Sequence, residues 1–311
     1  MSPGPHVLGP RVLILGSAGQ LGRQLQLKFS GAGDIRTCGR DSVDLADHEQ
    51  VRKFVRSAAP DIILNAAAYT AVDRAESESD LAMAVNARAP EVLAEEAMRL
   101  DALLVHYSTD YVFDGSKAGA WTEADTPNPL NVYGASKLAG ERAIVRIGGK
   151  FLIFRTSWVY GAQGNNFLRT MLRLGGERDS LNVVDDQIGA PTTTIELANA
   201  TRSIVDGVMS GRFGAIGRWA AIYHMTCSGS VSWCGFAKAI FERAQSLLHG
   251  KHPEVNPIGT SEYPTPARRP HNSVLSNVKL RDCFGIQLSR WESALDAVID
   301  QLKTEDPNVS K

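Results

Sequence analysis

The sequence has few cysteines and no long apolar run. Its four cysteines are Cys38, Cys227, Cys234 and Cys283. They form no CxxC pair and no dense framework, so the sequence indicates neither a zinc site nor a set of stapling disulfides. No apolar run approaches the roughly 20 residues that a membrane helix needs, and the first residues lack the basic and apolar regions of a secretion signal. We therefore expect a cytoplasmic protein without a membrane partner.

An excess of charge of one sign is also missing. The 33 Lys and Arg residues nearly balance the 34 Asp and Glu residues, which leaves a formal net charge of -1. This balance gives no electrostatic reason to expect nucleic acid as a partner. With 43% hydrophobic and 22% charged residues, the 311-residue chain has the composition of a globular protein and is long enough for one domain and a smaller second one.

Short apolar segments alternate with helical patterns through the first half of the chain. The apolar segments predict strands at residues 11–15, 34–38, 61–65, 102–107 and 151–154. Apolar residues at helical spacing follow at residues 21–29, 47–56, 80–99 and 133–147. This alternation predicts an α/β fold, with a doubly wound parallel sheet that helices cover on both faces.

From residue 161 onward the alternation loosens and predicts a smaller C-terminal lobe. Helices are expected at residues 166–174 and 233–248, and a late strand at 221–226. We expect a dinucleotide-binding domain over residues 11–160, completed by segments around 190–228. The smaller, substrate-binding lobe is expected to comprise residues 161–189 and 229–295, with loose termini at 1–10 and 304–311.

A glycine-rich turn follows the first predicted strand and opens a helix. Gly16-Ser-Ala-Gly19-Gln20-Leu21-Gly22 has the spacing GxxGxxG. The first glycine permits the tight turn, the second lets backbone amides approach a pyrophosphate, and the third lets the helix pack closely on the strand. Exposed amides at the helix N-terminus favour phosphate. The turn, including Gln20 and Leu21, is therefore predicted to bind a dinucleotide.

The second predicted strand ends in Gly39-Arg40, where the usual fingerprint has an acid that binds the ribose. An arginine there can pair with a 2′-phosphate through its planar guanidinium. We therefore favour NADPH over NADH, and a solvated surface charge is the alternative role of Arg40. Asp44 and Leu45 are candidates for contacting the adenine, or they form only a turn or a helix cap.

Tyr133 and Lys137 lie four residues apart on one face of a predicted helix. Ketone reduction needs a proton donor, and an ammonium beside a phenol stabilises its phenolate. A pKa lowered by about 2 units corresponds to roughly 2.7 kcal/mol. Ser108 and Thr109 follow an apolar strand, where a hydroxyl can bond a substrate carbonyl. The alternative for Thr109 is a local backbone hydrogen bond.

These motifs resemble the extended short-chain dehydrogenase/reductase superfamily and, within it, the dTDP-4-dehydrorhamnose reductase family. The more specific segments are Asn65-Ala-Ala-Ala-Tyr-Thr-Ala-Val-Asp73, Ser108-Thr-Asp-Tyr-Val-Phe-Asp-Gly115, Arg155-Thr-Ser-Trp-Val-Tyr-Gly161, Asp186-Gln-Ile-Gly-Ala-Pro-Thr192 and Arg269-Pro-His-Asn-Ser273. With the glycine turn they span nearly the whole chain.

The resemblance implies reduction of the 4-keto group of a dTDP-4-dehydro-sugar to dTDP-L-rhamnose. It implies that Tyr133 donates the proton, that Lys137 tunes Tyr133 and holds the nicotinamide ribose, and that Thr109 polarises the ketone. Neighbours of the cofactor would be Asn65, Ala66 and Ala67. Neighbours of the sugar nucleotide would be Asp73, Asn86, Ser108, Trp158, Asn166 and Arg269. The family also suggests a homodimer and, in some members, Mg²⁺, for which no residues can be assigned.

Each of these assignments has a structural alternative. Asn65 could be a turn residue, Trp158 a core residue, and Asp73 or Asn86 a helix cap. Arg269 could be a solvated charge instead of a pyrophosphate ligand.

Two other functions share the glycine turn. A nucleotide-sugar epimerase or dehydratase is one, but a dehydratase of this type has a glutamate where this chain has Tyr111. A non-catalytic dinucleotide-binding regulatory subunit is the other, and it would not need Thr109, Tyr133 and Lys137 together.

Overall fold

A computed structural model describes residues 9–305 of the protein. The terminal segments expected to be loose lie mostly outside this range, since residues 1–8 and 306–311 are not described. Residues 304 and 305, which were included in the loose C-terminus, form the end of the last helix.

The strands of the described chain are β1 (Arg11–Leu15), β2 (Asp34–Cys38), β3 (Ile62–Asn65), β4 (Leu103–Thr109), β5 (Phe151–Thr156), β6 (Val159–Tyr160), β7 (Ser180–Val184), β8 (Ile188–Gly189), β9 (Thr192–Thr193), β10 (Ala221–His224), β11 (Val231–Ser232) and β12 (Glu254–Ile258). Six of them form one sheet in the order β10-β5-β4-β3-β1-β2. All five pairings in it are parallel. The predicted α/β fold with a parallel sheet is confirmed.

The α-helices of the described chain are α1 (Gln20–Phe29), α2 (His48–Ala58), α3 (Val72–Ala75), α4 (Ser79–Met83), α5 (Ala89–Leu100), α6 (Val132–Ile147), α7 (Phe167–Glu177), α8 (Thr194–Met209), α9 (Trp233–Arg243), α10 (Val278–Phe284) and α11 (Trp291–Glu305). A π-helical turn (Ala84–Arg88) joins α4 to α5, and short 3-10 turns lie at Asp110–Val112, Ile216–Arg218 and Thr260–Glu262.

Alternate residues of β1 belong to different hydrophobic clusters. Val12 and Ile14 pack in a cluster with residues of α1 and α8, whereas Leu13 and Leu15 pack in a cluster with residues of α2 and α5. Because successive strand residues point to opposite faces, helices cover both sides of the sheet. Continuous apolar strand sequences are what such a doubly covered sheet requires.

A third cluster is built from the C-terminal half of the chain. It contains residues of α7, α9 and α11 and is centred on fully buried Phe236 and Phe241. Strands β7 and β12 pair in parallel beside it. The helix predicted at 233–248 is shorter, because α9 ends at Arg243 and turns follow.

The single helix predicted over residues 80–99 is instead interrupted by the π-helical turn. Asn86, within this turn, accepts a hydrogen bond from Tyr69 N (2.8 Å) and donates one to Tyr69 O (2.9 Å). A Cβ on Gly140 of α6 would collide with the carbonyl oxygen of Asn86. The hydrogen bonds of Asn86 and its close contact with α6 thus fix the π-helical turn. A regular α-helix would move Asn86 out of these contacts.

We expect Gly22→Ala to destabilise the protein by about 1–3 kcal/mol, because overpacking at a rigid contact costs this much. A Cβ at Gly22 would collide with the carbonyl oxygen of Gly16, which is backbone and cannot move aside. Gly176→Ala, in an exposed helical position with open space, is the matched control and should be neutral or slightly stabilising. Urea unfolding of both variants measures the difference, and equal midpoints would contradict the close packing.

Candidate active site

The glycine turn lies against the segment that follows β3. Gly16 has a φ of 78°, and a Cβ there would lie 2.7 Å from the backbone nitrogen of Ala67 and 2.9 Å from the carbonyl carbon of Ala66. Only glycine combines this φ with this close approach. The structure thus brings Gly16, Ala66 and Ala67 together at the carboxyl edge of the sheet, where doubly wound folds bind their ligands.

Gly19 is the N-cap residue of α1 and offers no side chain to the first amides of the helix. Those amides and the helix dipole favour an anion at this position. Leu21 is half-buried and packs against the sheet. Gln20 reaches away from the turn, since its Oε1 accepts a hydrogen bond from Asn166 Nδ2 (2.7 Å).

Arg40, Asp44 and Leu45 lie beyond the carboxyl end of β2. Arg40 is exposed and near enough to Tyr69 to interact with it electrostatically. The carboxylate of Asp44 accepts a hydrogen bond from Ala46 N (2.9 Å), which is the turn role considered as its alternative. Leu45 is half-buried against the core.

Tyr133 lies in the first turn of α6, whose N-cap is Asn131. Burial raises the pKa of Tyr133 to about 12, an effect that a hydrogen bond with the Thr109 side chain reduces and the charge of Asp110 increases. The sequence predicted instead that Lys137 lowers this pKa, and that prediction is wrong here, because burial has the larger effect and the Lys137 side chain contacts Tyr107 O and His106. At neutral pH Tyr133 keeps its proton, as a proton donor must. Its ring packs edge-on against Tyr111, with 5.8 Å between the ring centroids.

Thr109 ends β4 and contacts a buried carboxyl group. Its hydroxyl donates to Asp110 Oδ1 (2.9 Å) and accepts from Tyr111 N (3.2 Å). Burial raises the pKa of Asp110 to about 6, against hydrogen bonds from Ser273, Thr109 and Ser157 that lower it. The local bonds considered as the alternative for Thr109 are thus present, in addition to its proximity to Tyr133. Sequence reasoning did not assign Asp110.

Lys137 is 1% exposed, and its ammonium is held by neighbouring strand groups. Its Nζ donates to Tyr107 O (2.7 Å) and lies 3.2 Å from His106 Nε2. Burial lowers the pKa of Lys137 to about 8, although Glu141 raises it. On the other side of the ring, His106 Nδ1 lies 3.0 Å from Asn65 Nδ2. Asn65 and Lys137 are therefore connected through one histidine.

His106 contacts two candidate site residues, and the sequence analysis did not assign it. It is 0% exposed and lies in β4, directly opposite Asn65 of β3. A polar residue within the apolar strand sequence Leu103-Leu-Val-His-Tyr was the available signal. That signal does not identify a partner, because the register between strands is absent from the sequence.

Among the residues expected near the sugar nucleotide, Asp73 and Arg269 form an ion pair and Asn86 is bonded to the backbone. Asp73 forms a 2.8 Å ion pair with Arg269, which lowers the pKa of Asp73. Both influence Tyr111 electrostatically, so this pair lies near Tyr111, the aromatic neighbour of Tyr133. Asn86 is buried, with its amide bonded to the backbone of Tyr69 and to Ser136 Oγ (3.0 Å).

Ser108, Trp158 and Asn166 are the other residues expected near the sugar nucleotide, and each has different neighbours. Ser108 is buried next to Thr109. Trp158 has a φ of 48° and stacks on Trp233, with centroids 3.5 Å apart. Asn166 caps α7 by accepting from Arg169 N and donates to Gln20, which connects it to the glycine turn.

Over residues 9–305, no group of three or more His, Cys, Asp or Glu side chains is arranged to hold a metal ion, so nothing in this part of the chain supports Mg²⁺. Within the same residues, every helix is too short or too polar to span a lipid bilayer.

A parallel sheet with a glycine turn after its first strand defines the class of dinucleotide-binding α/β proteins. The family model described as "RmlD substrate binding domain" matches residues 10–304. A dTDP-4-dehydrorhamnose reductase from Burkholderia thailandensis is 45% identical over 95% of this chain and 100% of that protein. The enzyme of the same name from Escherichia coli K12 is 42% identical over 94% and 98%. The chain belongs to the dTDP-4-dehydrorhamnose reductase family of NAD(P)H-dependent oxidoreductases.

Solved structures agree with this fold. The dTDP-4-dehydrorhamnose reductase of Bacillus anthracis in complex with NADP superposes with a TM-score of 0.87 at 38% identity, covering 94% of this chain and 100% of that one. The UDP-glucose 4-epimerase of Thermus thermophilus in complex with NAD has a TM-score of 0.73 at 20% identity, with coverages of 94% and 99%, and shares the fold.

Proposed function

We propose that the protein reduces the 4-keto group of dTDP-4-dehydro-L-rhamnose with NADPH and forms dTDP-L-rhamnose. The observation that carries the proposal is the grouping of Thr109, Tyr133 and Lys137 at the sheet edge that also holds the glycine turn. The relatives named as dTDP-4-dehydrorhamnose reductases support the substrate, and the NADP complex of the Bacillus anthracis enzyme supports the cofactor.

The cofactor fits the residues present. Close backbone contacts at Gly16 and Gly22 leave no room for a Cβ, and the free amides after Gly19 suit a pyrophosphate. The residues that would hold the dinucleotide are Gly16, Gly19, Gln20, Leu21, Gly22, Asn65, Ala66, Ala67, Tyr133 and Lys137. Arg40 would bind the 2′-phosphate, and Asp44 with Leu45 would border the adenine. When bound, NADPH supplies the hydride for the ketone carbon.

Side chains of the protein would supply the proton for the ketone oxygen. Tyr133, protonated because burial raises its pKa, donates to the ketone oxygen as the alkoxide forms. Lys137 stabilises the phenolate that remains. Thr109 would lie beside the ketone oxygen, and its hydroxyl, whose one hydrogen is donated to Asp110 Oδ1, would turn to donate that hydrogen to the ketone oxygen. The substrate would be held by Asp73, Ser108, Trp158, Asn166 and Arg269. Asn86 would act indirectly by fixing the backbone of Tyr69.

The proposed substrate lobe comprises residues 161–189 and 229–295, and the cofactor domain comprises 11–160 with segments around 190–228. The separate hydrophobic cluster around Phe236 and Phe241 supports this division. The stack of Trp158 on Trp233 joins the two parts where the sugar would lie.

The test is a turnover assay with NADPH and the 4-keto dTDP-sugar, followed by the loss of reduced-nicotinamide absorbance. A panel of other keto sugar nucleotides sets the specificity. We expect rapid oxidation of NADPH with the dTDP-sugar. Binding of NADPH without turnover of any keto sugar would instead favour a regulatory dinucleotide-binding subunit.

We expect Arg40→Ala to weaken NADPH binding by roughly 10- to 100-fold, since a charge-assisted hydrogen bond contributes about 1.5–3 kcal/mol. NADH has no 2′-phosphate, so its affinity should hardly change. Arg36→Ala removes another exposed arginine of the same strand region and is the matched control. Fluorescence titration with both cofactors measures the effect, and equal losses for NADPH and NADH would refute the 2′-phosphate contact.

A further inference from the structure

His106 contacts one residue of the proposed cofactor site and one of the proposed proton-transfer site. Its Nδ1 faces Asn65 Nδ2 at 3.0 Å, and its Nε2 faces Lys137 Nζ at 3.2 Å. The ring is completely buried. Burial and the charge of Lys137 both lower the pKa of His106, so the imidazole is neutral at physiological pH.

A neutral imidazole carries a hydrogen on one nitrogen only, and the other nitrogen is an acceptor. If Asn65 Nδ2 donates to Nδ1, the ring hydrogen is on Nε2 and must point at a lone pair of Lys137, which is then a neutral amine. If Lys137 is an ammonium, it donates to Nε2, the ring hydrogen is on Nδ1, and Asn65 must present its amide oxygen. The two orientations of an amide have nearly the same shape.

We propose that His106 couples the charge of Lys137 to the orientation of the Asn65 amide, by moving its single ring hydrogen between Nδ1 and Nε2. In the cationic state, the hydrogens are three on Lys137 Nζ and one on Nδ1. In the neutral state, they are two on Nζ and one on Nε2. The difference is one proton, which passes to water. His106 is thus a positioning residue for Lys137, and this deepens the proposed function without being needed for it.

The coupling extends to the backbone beside the glycine turn. With Asn65 Nδ2 toward His106, Asn65 Oδ1 accepts a hydrogen bond from Ala67 N (3.3 Å). When the amide turns, its nitrogen faces Ala67 N, and that bond is lost. The freed Ala67 N–H can then donate to an acceptor oxygen of a bound dinucleotide, since Ala67 packs directly against Gly16. The Ala67 N–H is therefore free to donate to the dinucleotide in the state in which Lys137 is charged.

The charged side chains near His106 and Lys137, Glu141 and Arg155, balance each other. Glu141, on the same helix as Lys137, raises the pKa of Lys137, but it is also held by Arg155 of β5 through bonds of 2.9 and 2.7 Å. Strand β3 contributes the uncharged Asn65, and β4 contributes the Tyr107 carbonyl. Tyr133, from the first turn of α6, keeps its proton because burial raises its pKa to about 12. Lys137 is therefore the group that changes charge near pH 8.

The test is ¹⁵N NMR of the full-length protein with labelled histidine, of which the chain has seven. The His106 signals are assigned by their loss in His106→Gln. We expect the ring hydrogen to move from Nδ1 to Nε2 between about pH 6 and about pH 10, with its midpoint near the Lys137 pKa of about 8 and without formation of an imidazolium. Lys137→Met should abolish this change. A tautomer that is constant in the wild type, or a change that persists in Lys137→Met, overturns the proposal.

Two substitutions of Asn65 provide a second test, because they should shift the midpoint of the tautomer change in opposite directions. A carboxylate only accepts hydrogen bonds, so Asn65→Asp should keep the ring hydrogen on Nδ1 and raise the midpoint by at least about one pH unit. Asn65→Leu removes the acceptor and should lower the midpoint. Wild-type titration in both variants would overturn the coupling. These experiments need no substrate, so their outcome is independent of whether the turnover assay succeeds.

Discussion

Tyr133→Phe is expected to lower kcat by about 10²-fold or more while NADPH binding is retained, because general acid catalysis contributes about this much. The substitution keeps the ring that packs on Tyr111 and removes only the hydroxyl beside Thr109. Steady-state kinetics with the 4-keto dTDP-sugar and fluorescence titration with NADPH measure the two quantities separately.

Tyr111→Phe is the matched control for this prediction. It removes a hydroxyl from the neighbouring ring of the same aromatic pair, and we expect it to keep most of kcat. An unchanged kcat in Tyr133→Phe, or an equal loss in both variants, would refute the assignment of Tyr133 as the proton donor.

Glu141→Leu is expected to destabilise the protein by about 3–5 kcal/mol, because it leaves a buried arginine without its partner. Arg155 and Glu141 are 2% and 1% exposed and form two hydrogen bonds. The guanidinium also lies over the ring of Phe113, 5.1 Å from its centroid, so water has little access to it. Urea unfolding at neutral pH measures the loss.

The double variant Glu141→Leu/Arg155→Met separates the cost of the unpaired charge from the cost of altered packing. With both charges replaced by apolar groups of similar size, much of the stability should return, since the desolvation cost disappears with the charge. A double variant as unstable as Glu141→Leu alone would show that packing, and not the unpaired charge, sets the cost.

The strand boundaries in the first half were predictable because each strand is a local apolar sequence. Strands β1 and β2 begin and end where the sequence predicted them. The interruption after Met83 could not be predicted, because it depends on hydrogen bonds between Asn86 and Tyr69, which is on another segment. Local periodicity describes a helix, but it does not describe what binds to its side chains.

The same limit applies to the site. Tyr133 and Lys137 were assigned to the candidate site from their spacing within one helix. The pairing of Asp73 with Arg269 joins residues 196 positions apart, and no local pattern contains it. His106 went unassigned for a related reason, since its importance comes from two partners on other elements. Sequence patterns indicate candidate residues, whereas the contacts between those residues and their neighbours depend on how distant segments pack in the fold.

The parallel indoles of Trp158 and Trp233 have an optical consequence. Their ring planes are inclined by only 7° and their centroids are 3.5 Å apart, so the electronic transitions of the two indoles couple. One indole follows the last buried strand of the first half of the chain, and the other begins a helix of the C-terminal cluster. The protein thus has an intrinsic spectroscopic reporter of the contact between these two parts, without an added label.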